Sequence, residues 1–283
     1  MVAVVPEVAK MNNYIIPGHT GLPISIDIDF PENAGKAPVI IFLHGFKGFK
    51  DWGQWPLMAK SLARYGYAVV RMNFSHNGTT PKHPYDFADL EAFGRNTFSK
   101  ELQDVQDVIT WLHNTSELNP KIDLDALNIV AHSRGGAIAM ITATEDSRIR
   151  KIVTLSGVGT LVRFTEEEQE YWKQNGVIYM LNGRTQQNMP LYYSLAEDYL
   201  ENQDRFDLHQ VVENIEQPFM IIHAEKDETV PLSEGEKLAS EGKNTRLEIL
   251  PEANHSFGGM HPFEGNLLPE DTQKCVDLIR DFL

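Results

Sequence analysis

Cysteine is nearly missing from this 283-residue chain: Cys275 stands alone, so no intrachain disulfide can form. Such a chain suits a reducing compartment, and a cytoplasmic location is the expectation. Positive charge is also scarce, with 25 Lys and Arg against 40 Asp and Glu, a formal net charge of -15. A surface of that sign repels phosphate backbones and anionic headgroups, which sets nucleic acid and membranes aside as partners. Long apolar runs are lacking as well. No stretch approaches the ~18 residues of a membrane span. The opening residues, MVAVVPEVAKMNN, have neither the basic start nor the apolar length of a secretory signal. Internal repeats, low-complexity segments and metal-ligand spacings such as HExxH are missing too, so no metal site is expected. Nothing in the sequence signals an oligomeric state.

What is present is an ordinary globular composition, 42% hydrophobic and 23% charged, on a chain long enough for one large α/β domain. Short apolar runs rich in β-branched residues recur: PVIIFLHG (38–45), AVVRMNF (68–74), LNIVAHS (127–133), KIVTLSG (151–157), FMIIHAE (219–225) and RLEIL (246–250). Several are apolar almost throughout, as expected of parallel strands covered by helices on both faces. Two earlier segments, around Tyr14–Ile16 and Ile24–Phe30, alternate more and suit an antiparallel edge.

Between these runs, Phe98 to Leu112 places Phe98, Leu102, Val105, Val108, Ile109 and Leu112 on one helical face. Lys100, Glu101, Asp104, Gln106 and Asp107 fall on the other, expected to be solvated, and Ser99 or Thr97 can cap the start. A C-terminal stretch, Asp271 to Leu283, reads as a helix packed on the core with Cys275 as a buried structural thiol. The alternation predicts one doubly wound, mostly parallel sheet spanning residues 1–283. One region breaks the rhythm. Residues 160–216 show aromatics and charges but no convincing strand, too long for an ordinary connection, and predict a small helical cap or lid insertion.

Four loop motifs carry candidate chemistry. In Ala131-His132-Ser133-Arg134-Gly135-Gly136, a serine lies between a strand and a helix, with small residues two places to either side. A serine on such a sharp turn is lifted clear of the sheet, and the helix start aims N–H groups at developing negative charge. His44-Gly45-Phe46-Lys47-Gly48 follows another strand. The backbone N–H groups of Phe46 and Arg134 are the pair expected to stabilise an oxyanion; the alternative for His44–Gly48 is a plain glycine turn closing a strand. In His223-Ala224-Glu225-Lys226-Asp227-Glu228, Asp227 is the acid placed to orient a histidine, with Glu225 and Glu228 as competitors. In Asn254-His255-Ser256-Phe257, His255 follows Asp227 by 28 residues on the loop after the next strand. Ser133, Asp227, His255 is the order in which the α/β-hydrolase fold presents nucleophile, acid and base.

Together HGFKG, AHSRGG, HAEKDETVP and ANHSF resemble the α/β-hydrolase superfamily, from about Ile24 to the C-terminus. Within it they look most like the dienelactone-hydrolase-like and feruloyl-esterase-like branch, related to the catalytic domains of prolyl-oligopeptidase-type peptidases. The resemblance implies a Ser133–His255–Asp227 triad, an oxyanion hole from the Phe46 and Arg134 amides, and ester hydrolysis on a small molecule without metal or organic cofactor. The chain departs from the pattern in having Ala131 for the first elbow glycine and Ala224 for a glycine common before the acid. It also has serine where dienelactone hydrolases proper have cysteine. Bonds other than esters (peptide, thioester, lactone) stay open, as does a sensor that keeps the fold without turnover.

Other residues carry two readings each. The Arg134 guanidinium either meets a substrate carboxylate or forms a salt bridge with one of the many acids. The aromatics Tyr171, Trp172, Tyr179, Tyr192 and Tyr193 either line a substrate pocket, Trp172, Tyr192 and Tyr193 foremost, or pack the insertion on the core. Ser75 lacks the small-residue frame of an elbow, His132 is expected to pack beneath one, and His223 is expected to be structural.

Overall fold

In the computed structural model, residues 12–32 and 35–283 are described. The opening stretch read against a secretory signal lies almost wholly outside them. Among the described residues ten strands form: β1 (Asn12–Pro17), β2 (Pro23–Asp29), β3 (Ala37–Leu43), β4 (Ala68–Met72), β5 (Ile122–His132), β6 (Ile149–Leu155), β7 (Val177–Leu181), β8 (Asn188–Tyr192), β9 (Phe219–Ala224) and β10 (Thr245–Leu250). Eight of them make one sheet in the order β1-β2-β4-β3-β5-β6-β9-β10. β1 and β2 run antiparallel to each other, and β2 runs antiparallel to β4. All pairs from β4 to β10 are parallel. The six apolar runs and the antiparallel edge expected from the sequence are all present, and the architecture is the α/β-hydrolase fold.

The central strands are apolar on both faces because helices cover both. Ile41, Leu43 and Ile129 belong to one core, against the helix Phe98–Asn114. Ile40, Phe42 and Val130 belong to the other, against the helices Trp55–Arg64 and Glu270–Phe282. Cys275 is buried in that second core, and burial raises its thiol pKa well above the ordinary value. The helix Phe98–Asn114 begins as expected, with the Thr97 hydroxyl accepting from the Lys100 N–H at 3.3 Å.

Two expectations need correction. The first concerns the face of Phe98–Asn114 assigned to solvent: Glu101, Asp104 and Asp107 are all buried. Each is retained by a partner. Glu101 accepts from Asn96 and Arg134, Asp104 from the Ser75 N–H and hydroxyl, and Asp107 from the His19 N–H. The second concerns residues 160–216, where helices were expected alone. Four helices do occur there, from Glu166–Asn175 to Leu208–Asn214, but β7 and β8 form an antiparallel hairpin among them. Its turn starts at Asn182-Gly183, a recognisable hairpin signal. Pro190 masked the second strand; a proline is tolerated in it because the hairpin is a two-stranded sheet made only of edges.

Candidate active site

The parallel strands end on one side of the sheet, and the four motifs lie at those ends, where open α/β sheets gather ligands. Ser133 follows β5 directly and caps the helix Arg134–Glu145 with φ 55° and ψ -123°. A non-glycine residue in that region is strained, and the turn is held in it from two sides. The Ser133 N–H donates to Leu155 O at 3.0 Å, while Ser133 O accepts from the Gly136 and Val158 amides at 2.9 and 3.3 Å.

The small residues around the turn have a steric cause. A Cβ on Gly135 would lie 2.7 Å from the carbonyl oxygens of both Leu43 and His44, and one on Gly45 would lie 2.8 Å from Ser133 Cβ. These two glycines let β3 and its following loop approach the serine. That loop turns through a Gly48 N–H to Gly45 O bond of 3.0 Å, with Lys47 at φ 55° between them. His44 braces it: one ring nitrogen donates to Gly45 O at 2.9 Å, and the other accepts from the Phe74 N–H at 3.3 Å. Burial lowers the pKa of this ring to about 4, so it is neutral at pH 7.

Asp227 lies just past β9 and His255 just past β10. His255 Nδ1 donates to Asp227 Oδ2 at 2.7 Å. The other oxygen, Oδ1, accepts from the Thr229 and Val230 amides, each at 2.8 Å. Burial alone would raise the pKa of this carboxyl. The bond from His255 and the two amides outweigh that and hold it down at about 2. Asp227 rather than Glu225 or Glu228 is therefore the acid that holds His255.

Sequence reasoning missed the part played by His132. Its Nε2–H donates to the main-chain carbonyl of His255 at 2.8 Å, and the two rings lie 4.7 Å apart. The residue before Ser133 thus fastens the loop that carries His255. Burial lowers its pKa to about 3, so it is a neutral donor. His223 is fully buried, with Nε2 donating to Val230 O at 3.0 Å, and shapes the Asp227 loop.

Ser133 opens into a cavity of about 220 Å³ lined mainly by apolar side chains, among them Phe98, Val158, Leu161, Trp172, Leu191 and Leu195. Phe46 and Arg134 form its rim beside Ser133, and much of its wall comes from residues 160–200. Trp172 is among its lining residues, anchored by an indole N–H bond to Leu191 O at 2.7 Å. Tyr192 and Tyr193 are not. Successive residues of a strand face opposite ways, so with Leu191 turned into the cavity Tyr192 points out. Its hydroxyl donates to Glu91 and its ring lies under the Arg95 guanidinium. Tyr193 packs edge-on against Trp172 at 6.0 Å. Tyr171 and Tyr179 are exposed. Of the two readings of Arg134, the structure shows the salt bridge, Nη2 to Glu101 Oε1 at 2.5 Å.

The model of the prolyl oligopeptidase family matches residues 57–263 of the chain. Among curated relatives, an uncharacterized peptidase of Bacillus subtilis (strain 168), YuxL, is 25% identical over 80% of this chain. The chain spans about a third of that protein's length, 32%. The monoacylglycerol lipase ABHD6 of Homo sapiens is 23% identical over 90% of this chain and 77% of its own length. Among solved structures, Est1E from Butyrivibrio proteoclasticus with ferulic acid bound superposes with a TM-score of 0.71 at 18% identity, covering 95% of this chain and 97% of that one. Among the described residues no helix is long and apolar enough to cross a membrane.

Proposed function

The chain belongs to the prolyl oligopeptidase family and is a serine hydrolase of the α/β-hydrolase type, and on that premise we propose that it cleaves carboxylic esters through an acyl-enzyme on Ser133. The observation that carries this reading is a serine on a strained turn, opening into an apolar cavity, whose preceding residue His132 is hydrogen-bonded to the main chain of a histidine with its Nδ1–H fixed by Asp227. With Nδ1 committed as a donor, Nε2 of His255 is the free basic nitrogen. It takes the Ser133 proton as the hydroxyl attacks the ester carbonyl, then gives that proton to the leaving alcohol. Water activated by the same nitrogen hydrolyses the acyl-enzyme.

The tetrahedral oxyanion is bound by the backbone N–H groups of Phe46 and Arg134. Arg134 opens its helix, and the first amides of a helix have no acceptor within it. Each such donor is worth about 100- to 1000-fold in rate. Residues 160–216 act as a cap whose helices and hairpin wall the substrate pocket. The likeness to a monoacylglycerol lipase supports an ester as the bond cleaved. The family match and the likeness to YuxL favour one alternative, a peptide or amide bond on the same residues.

The first test is reaction with a fluorophosphonate probe followed by intact and peptide-level mass spectrometry, beside Ser133→Ala and His255→Ala. A single adduct on Ser133, lost in both variants, is the expected result. A folded protein that takes no adduct would overturn the reading in favour of a non-catalytic ligand-binding protein. Matched ester and anilide substrates of one acyl group then separate esterase from amidase.

A further inference from the structure

The cavity beside Ser133 contains two arginines and yet offers no free positive charge. Arg134 and Arg163 both line it. Arg134 is held by Glu101, which is 1% exposed and also accepts from Asn96 at 2.7 Å. Arg163 is held by both carboxylate oxygens of Glu234, at 2.9 and 2.7 Å. The polar side chains of the wall are likewise engaged locally: Gln169 donates to Phe164 O at 2.9 Å, and the Thr160 hydroxyl to Val162 O at 3.2 Å. Apart from Ser133, Thr229, Tyr199 and the indole N–H of Trp172, already bonded to Leu191 O, the remaining lining is apolar. A carboxylate entering this space would lose its water without gaining an unshared cation, a large cost in an apolar surround.

The position of the cavity shows which half of an ester it takes. Phe46 and Arg134, on the carbonyl-oxygen side of Ser133, belong to its wall, as do Thr229 and Val230. Among the described residues lining it, none comes from the loop that carries His255. The leaving alcohol must lie against His255 to be protonated, so it lies outside the cavity and the acyl group lies within. At about 220 Å³ the space is smaller than the ~300–1,000 Å³ of sites for drug-sized ligands, which limits the chain to short or medium length.

Resting on the esterase reading above, we infer that the substrates are esters of uncharged, apolar acyl groups of short to medium length, and that Glu101 is a specificity-determining residue. By occupying the Arg134 guanidinium from behind, Glu101 withholds it from acyl groups ending in a carboxylate. The same contact keeps the guanidinium over the Phe46 ring, 4.5 Å from its centroid. Glu101 touches no substrate and acts through Arg134.

The test compares 4-nitrophenyl hexanoate with the 4-nitrophenyl half-ester of adipic acid, which has the same length and a terminal carboxylate. In the unaltered protein kcat/KM for the hexanoate should exceed that for the half-ester at least tenfold, and hexadecanoate should be poorer than hexanoate. In Glu101→Gln the preference should move toward the half-ester by about tenfold, mainly through its KM, and Glu101→Asp should restore the original order. Equal rates on the two esters in the unaltered protein would overturn the inference without any variant. So would an unchanged ratio in a folded Glu101→Gln. Failure of the esterase reading looks different: no turnover of any ester and no fluorophosphonate adduct on Ser133.

Discussion

His132 donates its Nε2–H to the main-chain carbonyl of His255 across 2.8 Å, so the residue before Ser133 positions the loop that carries His255. Its ring packs at a tilt against Trp55 at 5.1 Å and His255 at 4.7 Å. His132→Phe keeps the packing and removes the donor. It should lower kcat by up to about 100-fold with little change in KM, since small misplacements of a catalytic group cost that much. His132→Gln, which keeps an N–H donor, should recover part of the loss. Equal kcat in all three proteins would reduce His132 to a packing residue.

Gly45 lets the loop of Phe46 approach Ser133. Gly45→Ala puts a methyl group 2.8 Å from Ser133 Cβ and 3.3 Å from its hydroxyl oxygen. Activity should fall at least about 100-fold, because the added methyl group displaces the Phe46 loop relative to Ser133. Gly135→Ala meets two backbone carbonyls at 2.7 Å and should cost about 1–3 kcal/mol of stability by chemical denaturation. A Gly45→Ala protein with full activity would remove the Phe46 loop from the oxyanion hole.

These motifs were legible because each is local. The apolar runs and the glycine, serine and histidine at their ends lie within a few residues, and β5 and its neighbours follow from short-range pattern alone. The partners of buried charge are not local. Glu101 meets Arg134 across 33 residues, and Asp104 meets Ser75 across 29. Helical periodicity assigns such an acid to the polar face whether or not a donor waits there. The cavity walls were half legible for a similar reason. Trp172 and Tyr192 are equally aromatic, and only the strand register of β8 decides that Leu191 faces in and Tyr192 out.

Asp104 gives the stability a pH dependence of known sign. Burial raises its pKa to about 7, against the lowering by the two Ser75 bonds, from an ordinary 3.8. Between those values the folded state holds a proton that the unfolded state has released, so stability falls as pH rises from about 4 to 7 and levels off above. His132 and His44 act oppositely: their folded pKa values of about 3 and 4 lie below 6.5, so stability falls as pH drops below 6.5. Urea midpoints measured from pH 4 to 8 should therefore peak inside that range. In Asp104→Asn the decline toward neutral pH should shrink while the acid limb persists. An identical profile in the variant would show that Asp104 is ionised throughout.

Arg71 is the charge most dependent on its surroundings. It interrupts an otherwise apolar β4, opposite Asp27 in register, and is 1% exposed. Its guanidinium reaches Asp29 at 3.2 Å, Asp27 at 3.4 Å and Asp51, and the Lys50 ammonium meets Asp27 and Asp51 from the other side. The Lys50 N–H also donates to Asn73 Oδ1 at 2.6 Å, so this cluster ties the loop after β3, which carries Phe46, to the end of β4. Arg71→Met leaves two buried carboxylates, Asp27 and Asp29, and the half-buried Asp51 with Lys50 as their remaining cation within the cluster. Breaking a buried charge network from one side costs about 3–5 kcal/mol, which corresponds to a fall of about 10 °C in Tm for a domain of this size. Arg71→Lys keeps the charge but loses the planar fork that spans the acids, and should fall between the two. A Tm for Arg71→Met within error of the unaltered protein would mean that these carboxylates take up protons on folding and that the cluster contributes little to stability.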